Sequence, residues 1–187
     1  MIKALFIDFD DSFTYNVVQE LSEIGIQVEL IHWKDFESLG KAELLVLGPG
    51  PGHPDDYQQI FPMIQNWMSL NLPVMGICLG HQILWRMRGE NVVRSKSPSH
   101  GQKVHLNLNE KWKKKFNLNS DVEVQRYNSL CVPLQAALRN PDLEVWAVDD
   151  EIMISKGKNV LTYQFHPESV GTSYRRPFFQ IILSDLV

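Results

Sequence analysis

Short apolar runs alternate along the chain with stretches whose apolar residues recur at helical spacing. Ala4–Phe9 (ALFIDF) is a β-rich opening run. Phe13–Ile24 follows, with Val17, Val18, Leu21 and Ile24 on one helical face and Gly25 placed to stop it. Val28–Trp33 (VELIHW), Leu44–Leu47 (LLVL) and Pro73–Ile77 (PVMGI) read as further strands, the last leading into a helical pattern over Leu79–Arg88. Apolar strands separated by helices predict a parallel sheet covered on both faces. The second half differs. Lys103–Leu108, Val122–Arg126, Leu143–Val148 and Val160–Phe165 read as strands with little helix between them, and Pro177–Leu186 as a closing helix with Pro177 in its first turn. The pattern therefore predicts an α/β fold: an open, mostly parallel central sheet with helices on both faces, plus a small antiparallel layer. No repeat, low-complexity segment or linker divides it, so residues 1–187 are expected to form a single domain.

Composition narrows the partners. Hydrophobic residues make up 44% and charged residues 21%, an ordinary globular balance. The formal charge of 18 − 22 = −4 gives no general attraction to nucleic acid or to an anionic membrane. The basic cluster Lys111–Lys115 (KWKKK) is too short to change this and reads as a solvated loop. No apolar run approaches the roughly 20 residues of a membrane span. The N-terminus turns acidic too soon for a secretory signal, so a cytoplasmic protein is expected. Two cysteines, Cys78 and Cys131, supply neither a disulfide framework nor a four-ligand metal site.

Cys78 has the more suggestive setting. Residues 76–80 read Gly-Ile-Cys-Leu-Gly, after a strand and before a helical pattern. This is the G-x-nucleophile-x-G pattern of a strand–turn–helix elbow, with cysteine in place of serine. Backbone packs closely around such a turn, which calls for small residues at Gly76 and Gly80. The positive end of the following helix favours thiolate over thiol, and the N–H of Leu79 can point at a developing oxyanion. Taken alone, the pattern also fits a buried structural cysteine between packing glycines. Cys131 (NSLCVPL) has no comparable context.

A cysteine nucleophile needs a histidine base, usually distant in sequence. His32, His100 and His105 sit in strands or loops with no carboxylate at strand spacing, His53 sits in a loop, and His81 lies on the helix after the elbow. His166 ends an apolar run and continues as His-Pro-Glu. Residues i and i+2 of an extended chain face the same side, and Pro167 favours an extended His166. Glu168 can then hold the imidazole in tautomer and direction. An exposed turn with incidental charges is the alternative; the elbow makes a Cys–His–Glu triad the better reading. The loop Gly48-Pro49-Gly50-Pro51-Gly52 follows a buried strand, where open α/β sheets bind ligands, and can supply a second oxyanion N–H. It lacks the Lys-Ser/Thr ending of a phosphate loop.

Gly50-Pro51-Gly52, Gly-Ile-Cys-Leu-Gly-His-Gln (76–82) and His-Pro-Glu-Ser (166–169), in this order, resemble the class I (triad-type) glutamine amidotransferases. The resemblance spans nearly the whole chain. Asp11-Ser12-Phe13-Thr14-Tyr15-Asn16 makes it similar to the glutaminase subunits of anthranilate and aminodeoxychorismate (para-aminobenzoate) synthases. The resemblance implies that Cys78 attacks the side-chain amide of L-glutamine and that Leu79 and Gly52 form the oxyanion hole. It implies that His166 moves the proton and Glu168 orients it, while Gly50, Gln82, Ser129 and Leu130 hold the substrate. It implies no cofactor and no metal, and a separate chorismate-using synthase that receives ammonia. Phe9, Asp10, Ser99, Gln102 and Asn128 depart from the family's usual residues, whereas Thr172 keeps its place; the departures bear on partner contact. The competing readings are a stand-alone γ-glutamyl amide hydrolase and a non-catalytic regulatory subunit.

Overall fold

The computed structural model describes residues 1–186. A seven-stranded sheet forms its centre. In chain order its strands are β1 (Lys3–Asp8), β2 (Gln27–His32), β3 (Leu44–Leu47), β4 (Val74–Ile77), β9 (Glu144–Val148), β10 (Glu151–Lys156) and β11 (Val160–Tyr163). Two small antiparallel pairs lie outside it: β5 (Val93–Arg94) with β8 (Leu130–Cys131), and β6 (Gln102–His105) with β7 (Glu123–Arg126). The sheet order is β2-β1-β3-β4-β11-β10-β9, parallel from β2 to β11 and antiparallel across β10 and β9. The expected mostly parallel sheet with a small antiparallel layer is what forms.

Alternation along the buried strands divides the core by sheet face. Ala4, Phe6, Leu44, Val46, Met75 and Ile77 pack with α1 (Thr14–Glu23), α4 (Glu110–Lys115) and α5 (Arg175–Asp185). Leu5, Ile7, Leu45, Leu47 and Val74 pack on the other face, with α2 (Phe61–Ser69) and α3 (Leu79–Met87). Both faces are thus covered, which explains why β3 and β4 are apolar throughout.

Several elements differ from the sequence reading, the short strands β5 and β8 among them. Lys111–Lys115 is helical, not a solvated loop, because Asn109 Oδ1 caps the Trp112 N–H at 3.0 Å and Trp112 buries its indole. Its ring stacks on Phe116, with centroids 5.8 Å apart. Helix α2 was not expected; Ile60, Ile64 and Trp67 give it a buried stripe, and Pro62 fits its first turn. Strand β10 (EIMISK) was also missed. It returns from β9 through Asp149 and Asp150, at φ 52° and 62°, in place of the Asn-Gly that usually marks such a hairpin turn.

Parallel register aligns the carboxyl ends that build the site: Ile7 pairs with Leu47, Leu47 with Gly76, and Ile77 with Tyr163. Helix α3 sits unusually close to this edge. A Cβ on Gly80 would lie 2.2 Å from the Leu47 carbonyl oxygen, and one on Gly76 would lie 2.6 Å from the Gly80 carbonyl oxygen. Neither obstacle is a movable side chain. Gly80→Ala is therefore expected to cost about 3 kcal/mol or more, read as a lower urea midpoint, since overpacking of a rigid site is at the upper end of its usual range. Leu138→Ala, on an exposed side chain, should stay within about 0.5 kcal/mol of the parent. Equal midpoints for the two variants would disprove the close-approach account.

Candidate active site

Cys78 lies between β4 and α3 at φ 50° and ψ −99°, a conformation that L-residues rarely adopt and that costs about 1–3 kcal/mol. Neighbouring backbone holds it there. Its N–H donates to the Tyr163 carbonyl at 2.7 Å, its carbonyl accepts from the Gln82 N–H at 3.1 Å, and the Gly80 N–H donates to the Gly48 carbonyl at 3.2 Å. The sulfur is thereby presented at the start of α3, beside the loop that follows β3.

The chain leaving β11 supplies the histidine. The His166 N–H donates to the Gln125 carbonyl at 2.9 Å, and the Thr172 hydroxyl donates to the His166 carbonyl at 2.7 Å. His166 Nδ1 lies 2.7 Å from Glu168 Oε1, and both side chains are buried. In the neutral ring a carboxylate partner places the proton on Nδ1 and leaves Nε2 as the lone pair. Nε2 is buried with no hydrogen-bond partner among the described residues. Burial disfavours charge on this imidazole, but Glu168 and then the Cys78 sulfur outweigh it, holding His166 well above the ordinary imidazole range. Phe13 and Tyr127 brace the ring, with centroids 5.0 and 5.1 Å away. Phe13 is itself fixed by its N–H bond to Asp11 Oδ1 at 2.8 Å, and the turn by the Thr14 hydroxyl on Asp8 Oδ1 at 2.7 Å.

A cavity of about 120 Å³ opens at the sulfur, lined by Gly50, Pro51, Gly52, Cys78, Gln82, Tyr127, Asn128, Ser129 and Leu130. Gly50, Gly52, Cys78, Gln82, Ser129 and Leu130, all expected from the sequence, line it. Leu79 differs: its side chain turns under the glycine loop, so that a Cβ on Gly50 would meet Leu79 Cδ2 at 2.6 Å. The Ser129 carbonyl is engaged by the Ser95 N–H at 2.9 Å, and the Leu130 carbonyl by Gln82 Nε2 at 3.0 Å and Asn128 Nδ2 at 2.9 Å. Of the departures, only Asn128 lines the cavity. Phe9 packs edge-on against Tyr57, and Asp10 pairs with His32 at 3.0 Å near the surface.

Gln164 escaped the sequence reading. It is fully buried, and its Nε2 lies 3.8 Å from Cys78 Sγ. A polar residue closing the apolar run, two positions before His166, was the available signal. The other candidates are accounted for. His81 is buried against Thr162 Oγ1 at 2.7 Å, and burial lowers its pKa to about 3. Burial pushes the Cys131 thiol up to about 12, with Glu151 adding to the effect. His32, His53 and His105 do have carboxylate partners, Asp10, Asp55 and Glu123, but near the surface.

The described residues contain no helix long and apolar enough to cross a membrane. The sequence profile of the family glutamine amidotransferase class-I matches residues 5–184. Anthranilate synthase component 2 of Helicobacter pylori is 33% identical over 96% of this chain and 95% of its own length. The pyocyanine-specific component 2 of Pseudomonas aeruginosa is also 33% identical, over 92% and 88%. Aminodeoxychorismate synthase of Streptomyces pristinaespiralis is 33% identical over 92% of this chain, which spans 25% of that longer protein. Among solved structures, a GMP synthase subunit from Thermoplasma acidophilum superposes with a TM-score of 0.81 at 22% identity, over 98% of this chain and 93% of that one. The matched span and these relatives establish that the chain belongs to the class-I glutamine amidotransferase family.

Proposed function

We propose that this chain hydrolyses L-glutamine to glutamate and ammonia and delivers the ammonia to a partner synthase that aminates chorismate, in anthranilate or aminodeoxychorismate synthesis. The observation that carries the reading is Cys78, strained at a helix N-terminus, facing a buried imidazole tied to Glu168 through Nδ1 and open at Nε2. The cavity of about 120 Å³ suits an amino acid and is well below the roughly 300–1,000 Å³ of drug-sized pockets. In this reading His166 Nε2 takes the thiol proton, and Cys78 Sγ then attacks the glutamine side-chain carbonyl as the thiolate. The N–H groups of Leu79 and Gly52 receive the oxyanion. The imidazolium returns the proton to the departing nitrogen, ammonia leaves, and water cleaves the γ-glutamyl thioester to glutamate and free thiol. Gly50, Gln82, Ser129 and Leu130 hold the amino-acid end. The relatives named as component 2 support a separate synthase chain as acceptor.

Cys78→Ala should abolish glutamine-dependent product formation by the complex reconstituted with its synthase and spare ammonia-dependent formation, because only ammonia release needs the thiol. Cys131→Ala should keep most of the glutaminase. Equal loss with both nitrogen donors in Cys78→Ala would sink the assignment.

Glu168→Gln should lower turnover less than His166→Ala, since Glu168 orients and His166 carries protons. The imidazole NMR titration of Glu168→Gln should also move to lower pH, because the charge that favours imidazolium is gone. An unmoved titration with unchanged turnover would remove Glu168 from the mechanism.

The isolated chain should be a weak glutaminase that its synthase activates. Gly52, at φ 77°, sits in a loop where one peptide rotation can present or withdraw an oxyanion donor, worth roughly 10²–10³ in turnover. Tyr127 supports a relay from the surface: its ring is partly exposed, touches His166, and backs onto Gly101. A partner needs only differential affinity for the competent loop. Glutamate release by the chain alone, with synthase, and with synthase plus chorismate tests this; full activity alone, unchanged by either addition, would refute the coupling.

A further inference from the structure

We propose that Gln164 is a working residue of the glutaminase site: its amide N–H holds the Cys78 sulfur, and its amide oxygen locks Gln82 with Oε1 turned to the substrate. This deepens the glutaminase reading and rests on it. The hydrogen-bond directions follow from groups that cannot reverse. The Leu130 carbonyl can only accept, so the Gln82 atom 3.0 Å from it is Nε2. The same Nε2 donates its other hydrogen to Gln164 Oε1 at 3.1 Å. Gln164 must then turn Nε2 toward Cys78, at 3.8 Å from Sγ. Both hydrogens of Gln82 are used, leaving Oε1 as an acceptor at the cavity, suited to the α-ammonium of an amino acid.

The far end of the relay is equally fixed. Arg126, a donor only, bonds Asn128 Oδ1 at 3.0 Å and is buried against Glu151, so Asn128 Nδ2 faces the Leu130 carbonyl. Gln164 itself cannot drift: its N–H donates to the Met153 carbonyl at 2.9 Å, and its side chain is wholly buried. The other groups that bear on the sulfur are His166, Glu168 behind it, and Tyr127 in the cavity wall. A neutral donor at Sγ favours the anion without adding a charge that would trap it.

The test uses the full chain in a Cys131→Ala background, so that iodoacetamide reports Cys78 alone. Gln164→Met removes donor and acceptor; Gln164→Glu keeps an acceptor for Gln82 and sets a carboxylate beside the sulfur in place of the N–H donor. Gln164→Met should move the midpoint of the alkylation pH profile up by about one unit and lower kcat roughly tenfold, the size of one hydrogen bond to a charged group, and Gln164→Glu should move it further up, because its carboxylate also repels the thiolate. KM should rise in Gln164→Met, where Gln82 is unlocked, and change little in Gln164→Glu. If neither variant folds by circular dichroism, Gln82→Met carries the test: Gln164 loses its lock, so a smaller upward movement should accompany a raised KM. Alkylation profiles superimposable on the parent in the folded variants would overturn the proposal, even if glutamate release confirmed the glutaminase. Absence of glutamate release from the parent even with its synthase present would instead remove the underlying reading while leaving the alkylation result to stand.

Discussion

Everything at the site depends on how closely α3 approaches the edge of the sheet. Gly80 lies against the backbone of Leu47, and Gly76 against the backbone of Gly80, with no room for a Cβ at either. That contact leaves the chain one way to pass from β4 into α3, through a single residue at φ 50°. The strain on Cys78 is thus a consequence of packing. It is tolerated because two apolar layers hold the strand and the helix on opposite sides of it. A looser helix would relax Cys78 and withdraw the first-turn N–H groups from the sulfur, so position and electrostatics fail or survive together.

The histidine is placed by a different kind of restraint. His166 lies beyond the last residue of β11, where the ladder no longer fixes the chain. Substitutes appear at once: a bridge to Gln125, the Thr172 hydroxyl on its carbonyl, and two aromatic rings against its face. Phe13 and Tyr127 come from segments far apart in sequence, and the bonds among Asp8, Asp11 and Thr14 explain why an acidic, hydroxyl-rich turn precedes α1. The turn works as a brace for an imidazole about 150 residues away in the chain, a long-range contact of the kind a packed core makes rigid.

Local physics explains what could be read in the sequence and what could not. The parallel strands were visible because burial on both faces makes them apolar from end to end, as in Leu44–Leu47. The elbow was visible because two glycines at fixed spacing state a backbone distance directly. Strand β10 was not, because its turn uses two aspartates at positive φ where glycine or asparagine is the usual sign. The Lys111–Lys115 helix was hidden by its charge: the capping Asn109 and one buried tryptophan decide the conformation, while the lysines dominate the composition. Gln164 was hidden for another reason. Its importance lies in contacts with Gln82 and Cys78, each more than eighty positions away, and one amide in an apolar run carries no periodic signal.

The two cysteines show how little the residue type alone determines. Both are buried, and both end or follow a strand. Cys131 lies beside Glu151, whose negative charge adds to desolvation and pushes its thiol up to about 12. Glu151 is in turn held by Arg126 and the Ser95 hydroxyl, and the opposing pull of Arg126 and Lys96 on the sulfur is too small to offset burial and Glu151. Cys78 faces the opposite arrangement, an imidazole whose carboxylate partner lies on its far side and raises its proton affinity. The same Arg126–Glu151 pair that helps to silence one thiol also anchors the amide relay that ends at the other. A buried ion pair contributes little net stability once its desolvation is counted. Here its donor-only and acceptor-only ends set the direction of a hydrogen-bonded chain, a role that an apolar pair of equal volume could not fill.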